Sequence, residues 1–259
     1  MKIENYGADG RQKTVMRELL RLDADGGISA AVDRIILLPI PSARDGVHIT
    51  GTDKLVSEVL MDISEGDFVV GYGISKEDAE IIVAQGADYY DAARDERFLE
   101  ANAQISALGA LGYILNNLDK IPADVRFGVV GYGRIGSRLC RMLMSLGAKI
   151  RVYTSNNSTR LSLGACGVST VLVERNSGIL AELDTVDVLI NTAPCNFKES
   201  FPGGRVPYGL AVIELASGDN FAGVEGVVRL PSIPDRMYPA SAGREYFLGI
   251  KRALSEVGG

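Results

Sequence analysis

A single histidine, His48, serves the whole 259-residue chain, so any mechanism that needs an imidazole base must use that residue. Cysteine is also sparse. Cys140, Cys166 and Cys195 are scattered and form no C-x-x-C pair. That distribution suggests buried thiols in a reducing compartment rather than disulfides or a metal site. No run approaches the roughly 18 uninterrupted apolar residues of a membrane span, and Met1-Lys2-Ile3-Glu4 has no signal-peptide pattern. These absences lead us to expect a cytoplasmic protein. Positive charge is in deficit: 27 Lys and Arg face 33 Asp and Glu, a net charge of −6. A field of that sign disfavours nucleic acid and anionic membrane surfaces. It does not exclude a small anionic ligand, which local donors would hold.

What is present is ordinary globular material, 46% apolar and 23% charged, enough for one large domain or two modest ones. Strand, turn and helix patterns alternate, which indicates parallel α/β architecture. In the first half, a short apolar run ends at Tyr6-Gly7 and a helix is expected from Arg11 to Leu22. Strands are expected at 34–41, 67–73 and 86–90. Ser75 is a helix cap with Asp78 three residues on. The Gly- and Asp-rich segment 23–31 reads as a shortened connection. Residues 102–118 read as a connecting helix whose face is Ile105, Leu108, Leu111 and Ile114. In the second half, strands are expected at 126–130, 148–154, 168–173, 186–191, 210–215 and 226–230. A closing helix follows from Ala240 to Val257. The fold expected is therefore two α/β domains. The second is a Rossmann doubly wound parallel sheet (102–239, with its connecting helix). The first is smaller, trimmed and flavodoxin-like (1–101, with 240–259 packing back on it).

Gly131-Tyr132-Gly133-Arg134-Ile135-Gly136 carries the chemistry. A G-x-G-x-x-G alone is weak, but this one follows an apolar strand and opens an amphipathic helix marked by Ile135, Leu139, Leu143 and Leu146. That is the context of a dinucleotide fingerprint. Gly131 permits the tight turn, Gly133 lets backbone approach the pyrophosphate, and Gly136 lets helix pack close to strand. The next strand ends Thr154-Ser155, where an NAD enzyme carries an acid for the ribose 2′-OH. Hydroxyls here, with Arg160 nearby, suit a 2′-phosphate, so NADP is favoured and NAD is the alternative. Asn191-Thr192-Ala193-Pro194 and Ala216 follow later strands at the same carboxyl edge and are expected beside the nicotinamide ribose. No catalytic residue stands out.

Several pieces resemble a known family, the A subunit of dipicolinate synthase. Gly7-Ala8-Asp9-Gly10-Arg11-Gln12 resembles its opening G-G-D-x-R-Q, and Ile35-Ile36-Leu37-Leu38-Pro39 its I-I-L-P strand. Gly73-Ile74-Ser75, Arg94-Asp95-Glu96 with Asn102, and Asn191-Thr192-Ala193-Pro194 follow its S-G-I-S, R-D-D…N and N-T-I-P pieces. Val212-Ile213-Glu214-Leu215-Ala216-Ser217 follows I-I-D-L-A-S, and Pro239-Ala240-Ser241-Ala242-Gly243 follows P-K-T-A-G. The resemblance implies a fold like that of the 2-hydroxyacid dehydrogenases. It also implies an NADP-linked oxidation of a dihydrodipicolinate-type precursor to dipicolinate. The implied partner is a small flavoprotein-like B subunit in spore-forming bacteria. A dicarboxylate substrate would be met in an interdomain cleft by Arg11, Asn102 and the start of the last helix at Ser241 and Gly243. A homo-oligomer is compatible with all of this. Leu108 stands where the family has an acid, and Ala240 where it has a lysine. These departures keep a second reading open: a nucleotide-binding subunit with a decayed substrate site, serving as partner or sensor.

Overall fold

The structure is a computed structural model and describes residues 1–174 and 180–257. The chain divides into two compact units. The first is Met1–Asn102 with Pro234–Gly259, and the second is Ala103–Ile233. Residues 234–239, grouped by sequence with the Rossmann half, thus belong to the first unit. Among the described residues no helix is long and apolar enough to cross a membrane.

The first unit is built on four parallel strands in the order β1 (Lys2–Asn5), β2 (Arg34–Leu37), β3 (Asp67–Gly71) and β4 (Asp88–Asp91). Strand residues alternate between two cores, as the period of two requires. Ile35, Leu37, Phe68 and Val70 face Val15 and Leu19 of α1 (Gly10–Ala24) and Tyr246, Ile250 and Leu254 of α8 (Pro239–Leu254). Ile36 and Val69 face Val56, Val59 and Leu60 of α2 (Val56–Met61) and Ala79 and Ile82 of α3 (Lys76–Ala84). So α1 lies on one face and α2 and α3 on the other, although all three connect strands running in the same direction across the sheet. The β1–α1–β2 connection therefore has the opposite hand to the two that follow, against a strong rule for parallel sheets. A flavodoxin-like order places another strand outside the first. Among the described residues that outer strand is missing, and residues 25–33 return directly to β2. The shortened connection expected from the sequence is the visible trace of the trimming.

Helix α4 (Glu96–Asn117) begins six residues before the sequence suggests. Of the face expected from the sequence, Ile105 and Ile114 are buried and Leu111 packs against the core, but Leu108 is 43% exposed; Ala103, Ala107 and Ala110 join Ile114 in the buried stripe. Steps of three drift off a helix face, while the observed 4-3-4 spacing holds it.

The second unit contains β5 (Arg126–Val130), α5 (Arg134–Ser145), β6 (Lys149–Thr154), α6 (Asn157–Ala165), β7 (Ser169–Leu172), β8 (Val188–Asn191), β9 (Ala211–Glu214) and β10 (Val227–Arg229). All six strands are parallel, in the order β10-β9-β8-β5-β6-β7. This is the Rossmann order, with its switch point between β5 and β8. One face is covered by α4 and α5 through Ala107, Ala110, Ile114, Leu139, Cys140 and Leu143. Leu146, expected on that face, caps the helix and is exposed. On the other face, the connections β8–β9 and β9–β10 carry no α-helix. Phe197, Phe201 and Phe221 fill the space, with ring centroids 5.8 and 6.1 Å apart. Short α7 (Ile233–Met237) leads into α8. The three cysteines are free, but only Cys140 is buried, and burial pushes its thiol up to about 12. Cys166 is exposed, contrary to the expectation of buried thiols.

Candidate functional site

The glycine turn sits at the carboxyl end of β5, the central strand. Gly131 has φ +87°, a left-handed conformation that glycine adopts without strain, and its N–H donates to the Tyr153 carbonyl at 2.8 Å. A Cβ on Gly136 would lie 2.3 Å from the Gly131 carbonyl oxygen and 2.7 Å from Thr192 Oγ1, so helix, strand and the 191–194 turn pack through that gap. Gly133 differs. A Cβ there would meet nothing within 4 Å, and its φ of −80° suits any residue. Space at Gly133 therefore remains open directly before the first turn of α5. The start of that helix offers backbone N–H groups and the positive end of its dipole to an anion. Arg134 is exposed at its first position, and Ile135 is half-buried against the core. These residues fit a dinucleotide pyrophosphate.

At the end of β6, Thr154 is buried and its Oγ1 accepts from the Asn156 N–H at 3.1 Å, so it shapes the turn. Ser155 is exposed. Arg160 lies in the first turn of α6, half-buried, with Nε donating to Asn157 Oδ1 at 3.0 Å. The segment 154–160 itself contains no acidic residue.

The ends of β8 and β9 are knitted together. Asn191 is fully buried. Its Nδ2 donates to both carboxylate oxygens of Glu214, at 3.0 and 3.2 Å, and to the Ala193 carbonyl at 3.0 Å. Its Oδ1 accepts from the Ala193 N–H at 3.1 Å. Thr192 Oγ1 donates to the Val130 carbonyl at 2.8 Å. The Ala216 N–H donates to Glu214 at 2.9 Å. Pro194 is exposed at the tip. Glu214 escaped the sequence reading as a site residue. Its only signal is an acid closing the strand Ala211-Val212-Ile213, where its carboxyl is pushed up to about 6 by burial.

In the first unit the sequence-expected residues are engaged internally. Arg11 is 6% exposed and gives Nε and Nη2 to Asp9 Oδ2, at 3.2 and 2.8 Å. Asp9 Oδ1 caps α1 through the Gln12 N–H. Asp235 Oδ1 accepts the Gly10 and Arg11 N–H groups at 2.7 and 3.3 Å. The Gln12 amide lies where a Gly7 Cβ would be, and its Nε2 donates to the Leu38 carbonyl at 2.6 Å. The G-x-D-x-R-Q pattern is thus a lock on α1. Asn102 is neither a helix start nor a cap, because α4 begins at Glu96. Ser241 is exposed in the first turn of α8. Gly243 is not at an anion-binding end: it is buried where α8 packs on α1, and a Cβ would lie 2.5 Å from the Arg11 carbonyl oxygen. His48 Nδ1 is 2.7 Å from Asp45 Oδ2 in an exposed loop, and that contact holds Asp45 well below the usual carboxylate range.

No family model matches the chain, and no curated protein sequence matches it. Solved structures do. The dipicolinate synthase A subunit from Bacillus halodurans is 22% identical, with a TM-score of 0.71 over 99% of this chain and 98% of that one. Its counterpart in the dipicolinate synthase of Bacillus subtilis is 16% identical, with a TM-score of 0.68 over 99% and 96%. A transhydrogenase from Sinorhizobium meliloti is 15% identical, with a TM-score of 0.60 over 97% and 92%. The chain has a two-domain α/β fold like that of these structures, and it resembles the dipicolinate synthase A subunit along nearly its whole length.

Proposed function

We propose that the chain is an NADP-dependent oxidoreductase of the same type as the dipicolinate synthase A subunit, which oxidises a dihydrodipicolinate-like ring to dipicolinate. The observation that carries the reading is the open turn at Gly133, beneath the first turn of α5 and at the switch point of a Rossmann sheet. Bound NADP would supply the hydride acceptor. Gly131, Gly133, Arg134, Ile135 and Gly136 would cradle its pyrophosphate, and Thr154, Ser155 and Arg160 its adenosine end. Asn191 to Pro194 and Ala216 would border its nicotinamide end. NAD is the alternative cofactor. The setting is the cytoplasm, and the partner is a flavoprotein-like B subunit. Arg11, Asn102 and Ser241 are the residues offered for the dicarboxylate; Gly243 is withdrawn from that set by its packing against α1.

A specific observation favours a second reading, a nucleotide-binding subunit with a decayed substrate site. Arg11 is already neutralised by Asp9, and the N-terminus of α1 by Asp235. One titration tests the cofactor assignment, and a second separates the two readings. NADPH should bind more tightly than NADH, and Arg160→Ala should erase the preference. Equal affinities in the wild type, or a preference that survives the substitution, overturn the assignment to Arg160. Heat from dipicolinate binding in the presence of NADP supports the enzyme. No heat at millimolar dipicolinate supports the decayed site.

A further inference from the structure

Glu214 is a charged side chain, 4% exposed, in the last position of a strand whose other residues are apolar. It stands level with Asn191 on β8, and Asn191 stands level with Val130 on β5. Its hydrogen-bond partners are both donors: Asn191 Nδ2 and the Ala216 N–H. An ionised carboxylate only accepts, so this set matches the charged form. From Glu214 the bonds run through Asn191 to Ala193, and Thr192 continues them to the Val130 carbonyl, one residue before the glycine turn. We propose that Glu214 is the positioning residue of the nucleotide site, its carboxylate holding turn 191–194 against the glycine loop through Asn191. The proposal rests on the nucleotide reading of that loop.

A consequence concerns protons. Protonation turns one oxygen of Glu214 into a donor facing other donors, so a bond to the turn is lost. Burial places this change near pH 6. The cation facing Glu214 is Arg229 of β10, which is itself paired with Asp219 at 3.3 Å. Asn191 on β8 is neutral. The ligand titrates too, because a 2′-phosphate changes charge near pH 6. NAD, which lacks that phosphate, and NADP are therefore both measured, from pH 5 to 8.5, on the wild type, Glu214→Gln and Asn191→Ala.

The wild type should bind each dinucleotide about tenfold more weakly at pH 5 than at pH 8, once the ligand's own titration is subtracted, the effect of losing one charge-assisted bond. Glu214→Gln should bind at the weak level throughout, with no such slope. Asn191→Ala leaves the carboxyl in place and should show the weak level at pH 8. A Glu214→Gln profile that tracks the wild type overturns the proposal. So does a folded Asn191→Ala protein with unchanged affinity. No dinucleotide binding by the wild type at pH 8 overturns the nucleotide reading, and the proposal with it.

Discussion

The two units each contain a parallel strand, a glycine turn and a helix in succession, and they finish that motif in opposite ways. In the second unit the turn is left empty: Gly133 faces open space, and the helix start is exposed. In the first unit the turn is filled by the protein itself. The Gln12 amide occupies the place of a Gly7 side chain, Asp9 takes the Gln12 N–H, and Asp235 takes the Gly10 and Arg11 N–H groups. Both turns present the orphan donors of a helix N-terminus. One answers them with carboxylates of the chain, while the N-cap of the other is a glycine, which makes no side-chain cap bond. A glycine turn before a helix therefore reads as a binding site only when nothing within the chain has already answered its donors.

The sharpest way to break this contrast is to fill the open turn. Gly133→Val should cut dinucleotide affinity by about a hundredfold or more, on the order of 3 kcal/mol, with the melting temperature nearly unchanged. A Cβ at this position meets no protein atom within 4 Å, so the side chain would stand in the space proposed for the pyrophosphate. Normal binding by a folded Gly133→Val protein, read by fluorescence titration, removes this loop from the site.

The converse test overfills the closed turn. Gly7→Ala places a Cβ 1.3 Å from Gln12 Oε1, and Gln12 is fully buried and bonded to the Leu38 carbonyl. Something must move, and overpacking of this kind costs about 1–3 kcal/mol. Gly133→Ala meets no neighbour. The weaker helix cap and the reduced freedom of the unfolded chain nearly offset, so its stability should stay within about 0.5 kcal/mol of wild type. Denaturant unfolding that shows equal losses for the two alanine variants would erase the distinction between the turns.

Glu214 provides the next contrast, between stability and binding at one residue. Its carboxyl holds a proton more tightly in the folded chain, at about 6 against a reference of 4.5. The stability this proton confers is whole below pH 4.5 and is lost as the pH rises through 6. Glu214→Gln never ionises and escapes that loss. Relative to their difference at pH 4, the variant should gain about 2 kcal/mol on the wild type at pH 8, while binding dinucleotide more weakly. A residue kept at a cost in stability is what a positioning role requires. Parallel stability profiles of the two proteins from pH 4 to 8 would show that Glu214 carries no such cost.

Much of the scaffold was legible because parallel strands announce themselves as short apolar runs between turns. The strand expected at 126–130 coincides with β5, and the doubly wound sheet expected from the glycine turn behind it is the one observed. What escaped had weak local signals. Helix α2 is six residues long, its N-cap is Leu55, and Glu58 bonds back to the Leu55 N–H in place of a hydroxyl cap. On α4 three of the buried positions are alanines, Ala103, Ala107 and Ala110, which a search for large apolar residues passes over. Glu214 looked like any acid that closes a strand, because its burial depends on Asn191, 23 residues away. Asp235 carries no local signal, since its partners Gly10 and Arg11 lie at the other end of the chain.

That last pairing gives the smallest expected effect and the most direct test of whether the two turns are the same device. Asp235→Ala removes the carboxylate from the Gly10 and Arg11 N–H groups but leaves the Asp9 cap in place. A cap or dipole contribution of this kind is worth about 1 kcal/mol, so the variant should be destabilised by that amount. If the closed turn is closed only by that carboxylate, an added anion should substitute for it. Millimolar phosphate would then raise the melting temperature of Asp235→Ala more than that of the wild type, since a ligand that binds only the folded form stabilises it by mass action. Dipicolinate, with two carboxylates, should do so at lower concentration than acetate. If Asp235→Ala loses its 1 kcal/mol and no anion restores any of it, the first turn is a purely structural cap. The resemblance between the two turns then ends at their backbone.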